Sequence, residues 1–187
     1  LHFAKETVTE ETICSPIGIY GTLKYSGELI VKSYNQVFDI PYTIIRPSAL
    51  YGERCVSRRV GQIFIENALQ NKQVNILGDG SDKLDFTYIG DLIEGVSLVL
   101  KTKNSINEIF NMTYGKAHSI NNMVEILKKH FDNVEINYNP RDALIPNRGT
   151  LCIKKAKNLL GYNPEFPLEI GYPKYIRWYK NFYKNQV

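Results

Sequence analysis

Apolar residues recur at helical spacing from Ile17 through Tyr20, Leu23, Leu29, Ile30 and Tyr34 to Phe38, which predicts a long helix. Ser15 is placed to cap it and Pro16 to open its first turn. Asp39-Ile40-Pro41 ends it, because a residue before proline is pushed out of the helical region. The preceding Leu1–Ser15 is polar and acidic and reads as a surface loop. Tyr42-Thr43-Ile44-Ile45 is β-branched and continuous, so it reads as a buried strand, with Arg46–Gly52 as the loop at its C-terminal end. Helical spacing returns over Gly61–Gln70. Val74–Leu77 is a short strand and Gly78-Asp79-Gly80-Ser81 a turn. Asp85–Ile89 alternates as a strand and leads to a helix over Leu92–Leu100 with Asp91 as its cap. Glu108–Met112 is a strand, and Ser119 caps an amphipathic helix carrying Ile120, Met123, Val124, Ile126 and Leu127. Val134–Tyr138 alternates as a strand, and Asn139–Thr150 is a loop. Lys154–Leu160 is a helix stopped at Gly161, and Leu168–Tyr183 a final aromatic and basic helix. Strands alternate with helices throughout, so the fold class is α/β.

Composition adds bounds to this outline. At 187 residues, with 43% hydrophobic and 22% charged, the chain has the make-up of a globular domain or the larger part of one. It begins with Leu and opens on neither a signal peptide nor a strand, so an N-terminal part of a longer protein is expected to precede it. No apolar run is long enough to span a membrane. A net charge of +4 is too mild to argue for nucleic acid, and it suits an anionic small molecule equally well. Cys14, Cys55 and Cys152 are odd in number and widely spaced. They fit no metal or disulfide pattern, which points to a reducing cytoplasm.

Candidate chemistry centres on Tyr20 and Lys24. Four residues apart, they share a helix face, and an ammonium beside a phenol favours the phenolate. Such a tyrosine can take a proton from a hydroxyl near neutral pH. The spacing alone also suits an ordinary amphipathic helix, since the chain holds 13 tyrosines. Arg46 follows a buried strand and is read as tying down a loop. Arg58-Arg59 is either a solvated pair or a phosphate clamp. Asp85 and Asp91 are read as fixing turns and capping a helix. His118 and His130 are expected at the surface, and the Lys174, Arg177, Lys180 and Lys184 set as a solvated helix face. Gly78-Asp79-Gly80 has no third glycine at the right spacing and no following helix, so it is not a pyrophosphate loop.

The signals fall in one order: Tyr20 and Lys24; Arg46-Pro47-x-x-x-Tyr51-Gly52; Gly78-Asp79-Gly80; Asp85-Phe86-Thr87-Tyr88-Ile89-Gly90-Asp91; Phe110-Asn111; Lys155-Ala156-Lys157-x-Leu159-Leu160-Gly161-Tyr162-x-Pro164; and Trp178-Tyr179. This set resembles the C-terminal part of the extended short-chain dehydrogenases, specifically the NAD-dependent nucleotide-sugar epimerase/dehydratase family. The resemblance runs from Glu10 to Tyr179. It implies the C-terminal portion of a Rossmann-like parallel sheet, with a smaller mixed α/β substrate-binding subdomain. Residues 1–60 would carry the Rossmann portion and 61–187 mainly the subdomain, with about 85–101 returning to the Rossmann core. The glycine-rich loop for NAD or NADP, and the Ser or Thr that partners the catalytic Tyr, would precede Leu1.

The same resemblance implies roles. Tyr20 is the general acid/base, and Lys24 binds the nicotinamide ribose and tunes Tyr20. Pro47 opens a loop beside the nicotinamide, and Ser48 and Ala49 contact the sugar or its phosphates. Ala49 stands where many members have Asn, and Leu84 where many have an Arg for the pyrophosphate. Arg148 matches an arginine that contacts the diphosphate, and Arg58, Arg59 and Arg141 could replace the charge lost at Leu84. The implied substrate is a nucleotide-diphosphate sugar, the implied activity 4-epimerisation through a 4-keto sugar, and the implied assembly a homodimer. A 4,6-dehydratase, decarboxylase or reductase of the same family, and a non-catalytic sugar-nucleotide-binding member, are the alternatives. The 187 residues alone are expected to be inactive.

Overall fold

The computed structural model describes residues 7–141 and 148–184. Its elements run in chain order: β1 (Thr7–Val8), α1 (Gly18–Phe38), β2 (Thr43–Arg46), β3 (Leu50–Tyr51), α2 (Val60–Leu69), β4 (Val74–Leu77), β5 (Lys83–Leu84), β6 (Thr87–Tyr88) and α3 (Ile89–Lys101). A single 3₁₀ turn at Lys103–Ser105 follows, then β7 (Glu108–Asn111), β8 (His118–Ser119), α4 (Ile120–Lys128), β9 (Ile136–Asn139), β10 (Thr150–Leu151), α5 (Lys154–Leu160) and α6 (Leu168–Lys184). The α/β class read from the sequence holds. Four of the five strand pairs are parallel (β1 with β10, β2 with β7, β3 with β6, β4 with β9), and β5 with β8 is antiparallel. Parallel partners so far apart in sequence need crossover segments, which the helices supply.

Two apolar clusters form the interior. The larger joins β3, α2, β4, β6, α4 and α6 through Phe64, Ile65, Val74, Ile76, Met123, Leu127, Tyr172 and Tyr175. The smaller packs α3 and α5 on β7 through Val99, Phe110, Met112, Ala156 and Tyr162. Burial is strongest after residue 60, while α1 has no buried residue. The inner face of α1 is half-buried along Gly21, Tyr25, Glu28, Lys32 and Asn35. Its other side exposes Ile19, Leu23, Ile30, Tyr34 and Val37 in one helical stripe.

Several local expectations are corrected. Ser15 and Pro16 lie outside α1. Gly18 opens the helix at φ +73° after an extended segment, and no side chain caps it. Its C-terminus falls where Asp39-Ile40-Pro41 places it, with Asp39, at φ 53°, donating its N–H to the Asn35 carbonyl. β2 is half-buried, because β7 is its one neighbour among the described residues. The segment 85–89 gives only two strand residues, since α3 starts at Ile89. Asp91 therefore lies inside the first turn, where its carboxylate accepts the N–H groups of Glu165 and Phe166 (2.8 and 3.1 Å). The leading loop contains β1, which pairs Thr7 and Val8 with Thr150 and Leu151. His118 is buried rather than exposed, with Nδ1 3.5 Å from a Glu169 oxygen. Residues 142–147 of the expected 139–150 loop lie outside the described residues. Ser119 caps α4 as expected, with Asn122 completing a capping box, and Gly161 ends α5 at φ 73°.

Candidate active site

The spacing of Tyr20 and Lys24 on α1 becomes physical proximity. The Lys24 Nζ lies 5.7 Å from the centre of the Tyr20 ring, and the Tyr20 ring is largely exposed. Four residues further along the same side, Glu28 turns towards the protein. It accepts a bidentate pair from Arg46, Nε to Oε1 at 2.8 Å and Nη2 to Oε2 at 2.6 Å. Arg46 is the last residue of β2, so the guanidinium links the Tyr20 helix to the strand that delivers Pro47, Ser48 and Ala49. Its pKa is raised, first by the hydrogen bond to Glu28, against a smaller opposing effect of desolvation.

Beyond that loop lies a cavity of about 230 Å³. Its walls are Val60, Leu84, Phe86 and Met123, with Ala49 beside them and Arg59 and Arg148 supplying the positive charge. Four of the residues singled out from sequence, Ala49, Arg59, Leu84 and Arg148, thus meet in one place. Pro47 and Ser48 do not line the cavity. Arg58 is turned away from it and pairs with Glu66 at 2.9 Å on α2. Arg59 donates Nε to the Ser57 hydroxyl at 3.0 Å. The loop bounding the cavity holds three non-glycine residues at positive φ: Ala49 (39°), Arg54 (62°) and Arg58 (41°). Backbone held in this sparsely populated region is a feature of ligand-binding segments. Sequence reading misses the apolar walls Val60, Phe86 and Met123, because they look like ordinary core positions. It also misses Glu28, whose signal is its place eight residues after Tyr20.

The residues present fit one end of a dinucleotide. Tyr20 and Lys24 offer a phenol and an ammonium, suited to ribose hydroxyls, on an open stretch of helix. The glycine pair at 78–80 offers no phosphate cradle. A Cβ on Gly80 would meet the side-chain oxygen of Asn121 from α4 at 2.0 Å, and Asp79 accepts from the Ser81 hydroxyl at 2.6 Å, so the turn is filled by neighbouring side chains. Among the described residues there is no cluster of metal-ligating side chains, and no helix is long and apolar enough to cross a membrane.

Comparison with known proteins follows the same lines. Residues 2–113 match the family described as the NAD dependent epimerase/dehydratase family. A putative UDP-glucose 4-epimerase of Methanocaldococcus jannaschii is 37% identical over 179 residues, covering 93% of this chain and 57% of that protein. The crystal structure of UDP-glucuronic acid 4-epimerase from Bacillus cereus, in complex with UDP-glucuronic acid and NAD, superposes with a TM-score of 0.90 at 31% identity. It covers 95% of this chain and 57% of that one. A dTDP-glucose 4,6-dehydratase from Streptomyces venezuelae, at 21% identity and a TM-score of 0.89 over 96% of this chain and 56% of that one, shares the fold. The chain spans somewhat more than half the length of these relatives.

Proposed function

The chain belongs to the NAD dependent epimerase/dehydratase family, and we propose that in the complete protein it forms the catalytic helix and substrate cleft of a nucleotide-sugar 4-epimerase. The observation that carries this reading is the juxtaposition of two parts. A Tyr–Lys pair sits on a helix clamped to β2, and the loop leaving β2 runs to an arginine-bearing apolar cavity. The relatives from Methanocaldococcus jannaschii and Bacillus cereus, 37% and 31% identical, are 4-epimerases by name, which supports the same activity.

In this proposal Tyr20, Lys24 and Pro47 hold the nicotinamide end of NAD, which when bound accepts and returns a hydride at C4 of the sugar. Tyr20, as phenolate, takes the proton of the C4 hydroxyl as that carbon becomes a carbonyl. Lys24 supplies a positive charge over the Tyr20 ring, 5.7 Å from its centre. Once the 4-keto sugar has turned over, Tyr20 returns the proton to the new C4 oxygen. Ser48 and Ala49 face the sugar. Arg59 and Arg148 bind the diphosphate, and Leu84 places an apolar wall where many family members carry a cation. Arg58 contributes only if it leaves Glu66. Ala49 and Leu84 together remove two polar contacts, which favours a substrate gripped by charge at the diphosphate and by apolar contact around it.

A homodimer is part of the same proposal, with the apolar stripe of α1 at its interface. A cytoplasmic location is supported by three free cysteines. Product analysis on the complete protein tests the activity. Incubation with UDP-, dTDP-, GDP- and CDP-sugars and NAD is expected to give a C4 epimer of at least one. A 4-keto-6-deoxy sugar would instead indicate a dehydratase, loss of carbon dioxide a decarboxylase, and binding without turnover a non-catalytic member.

A further inference from the structure

We infer that Arg46 and Glu28 are positioning residues that set the rotation of the Tyr20 helix relative to the substrate loop. The inference rests on the function proposed above. α1 runs for 21 residues without one buried side chain, so apolar packing within the described residues does not fix its rotation. Polar ties take that place. Asn35 Nδ2 at the C-terminal end donates to the Asn107 side-chain oxygen at 3.4 Å, just before β7. The midpoint is held by the Arg46–Glu28 fork, whose two side chains are 15% and 17% exposed. Tyr20, Lys24 and Glu28 are spaced by four, so fixing the direction of Glu28 fixes that of the other two.

Arg46 also reaches the segment that leads into the helix. Its Nη1 donates to the Glu10 carbonyl at 3.1 Å, and Nη2 lies 3.8 Å from the Cys14 sulfur. The Glu10 carboxylate in turn accepts the N–H of Asn111, at the end of β7, at 2.8 Å. One guanidinium therefore gathers the approach to α1, the middle of α1 and the end of β2. The next residue is Pro47, at the start of the substrate loop. A planar fork specifies direction as well as charge, which a lysine ammonium cannot reproduce. Displacing a reacting group by about 1 Å can cost about a hundredfold in rate.

The test uses the complete enzyme and three variants, Arg46→Lys, Glu28→Gln and the double variant, with Tyr20→Phe as control. Folding is followed by thermal melting, and sugar-nucleotide binding is measured separately from turnover. Arg46→Lys is expected to keep sugar-nucleotide KM within about threefold while kcat falls about 10- to 100-fold. The double variant should lose little more than the worse single one, since both remove one interaction. If Arg46→Lys fails to fold, Glu28→Gln, which keeps the shape of the side chain, carries the same expectation. Unchanged kcat in a folded variant, a loss confined to KM, or additive losses in the double variant would overturn the positioning role. With Tyr20→Phe inactive, those results leave the proposed function standing. Retained turnover in Tyr20→Phe would remove the function and this inference together.

Discussion

Asp85 shows how much a single buried carboxylate can organise. It is fully buried, and its oxygens accept the Thr113 hydroxyl (2.9 Å) and the N–H groups of Gly115 and Leu151 (both 3.1 Å). Burial raises its pKa, and the hydrogen bonds from Leu151, Thr113 and Gly115 oppose that rise without cancelling it. Through these bonds it joins the segment before β6, the turn after β7 and strand β10, which begins two residues beyond Arg148. Asp85→Asn replaces one acceptor with a donor that faces donors. The expected loss is about 2–4 kcal/mol in chemical denaturation, from one or two buried N–H groups left unpaired. The sequence marks Asp85 as a residue that fixes turns, and that role is correct in kind. Its partners at 113, 115 and 151 lie beyond any local pattern, so the extent of the role appears only in the fold. Arg46 is similar: its structural character is legible after an apolar strand, but Glu28 as its partner requires knowing which way α1 faces.

At the scale of elements, helices with complete local signals are read correctly. α4 has its Ser119 cap and apolar stripe, and α5 has its glycine stop. The start of α1 is misread because Ser15-Pro16 is a good local signal overridden by the positive φ of Gly18. Packing of α6 on β3 and α2 supplies two predictions. A Cβ on Gly171 in α6 would meet the Tyr51 hydroxyl at 2.2 Å, and that hydroxyl is buried with no hydrogen-bond partner among the described residues. Gly171→Ala is expected to cost about 1–3 kcal/mol by overpacking. Tyr51→Phe, which removes an unpaired polar group, should recover part of that loss in the double variant, as read by thermal or urea unfolding. On α2, Glu66 is partly desolvated, which alone would raise its pKa. The donors Gln62, Tyr179 and Arg58 outweigh this and hold it below its ordinary value of 4.5. Its partner Tyr179 is pushed up to about 12, by desolvation and then by Glu66. A carboxylate with a lowered folded pKa contributes stability that is complete above its unfolded value and is lost as pH falls through the folded one. The melting-temperature gap between the parent and Glu66→Gln should therefore be widest near neutral pH and close on acidification below about pH 4. A gap that does not change with pH would contradict this assignment.

For the whole molecule, burial is uneven: two well-filled clusters lie mostly after residue 60, while α1 presents a long apolar stripe. Leu23 and Val37, 67% and 70% exposed, lie on the side away from Glu28. A second copy covering this stripe leads to a specific expectation. Under the proposed homodimer, Ile30→Asp in the complete protein should halve the mass measured by sedimentation, and an unchanged mass would contradict an interface on α1. The 78–80 turn is filled by Asn121 and offers no phosphate cradle. The isolated 187 residues are expected to show no turnover and no tight NAD binding by calorimetry. The α/β class and the Tyr–Lys pair are legible in the sequence because both depend on short-range spacing. The cavity that joins Ala49, Arg59, Leu84 and Arg148 is not, because five separate segments build it. The central claim, that Tyr20 moves the proton at C4, is tested most directly by comparing turnover and sugar-nucleotide binding of the complete protein with those of Tyr20→Phe. Binding within about threefold and kcat reduced at least about a hundredfold is the predicted result, and near-normal kcat in the variant would contradict it.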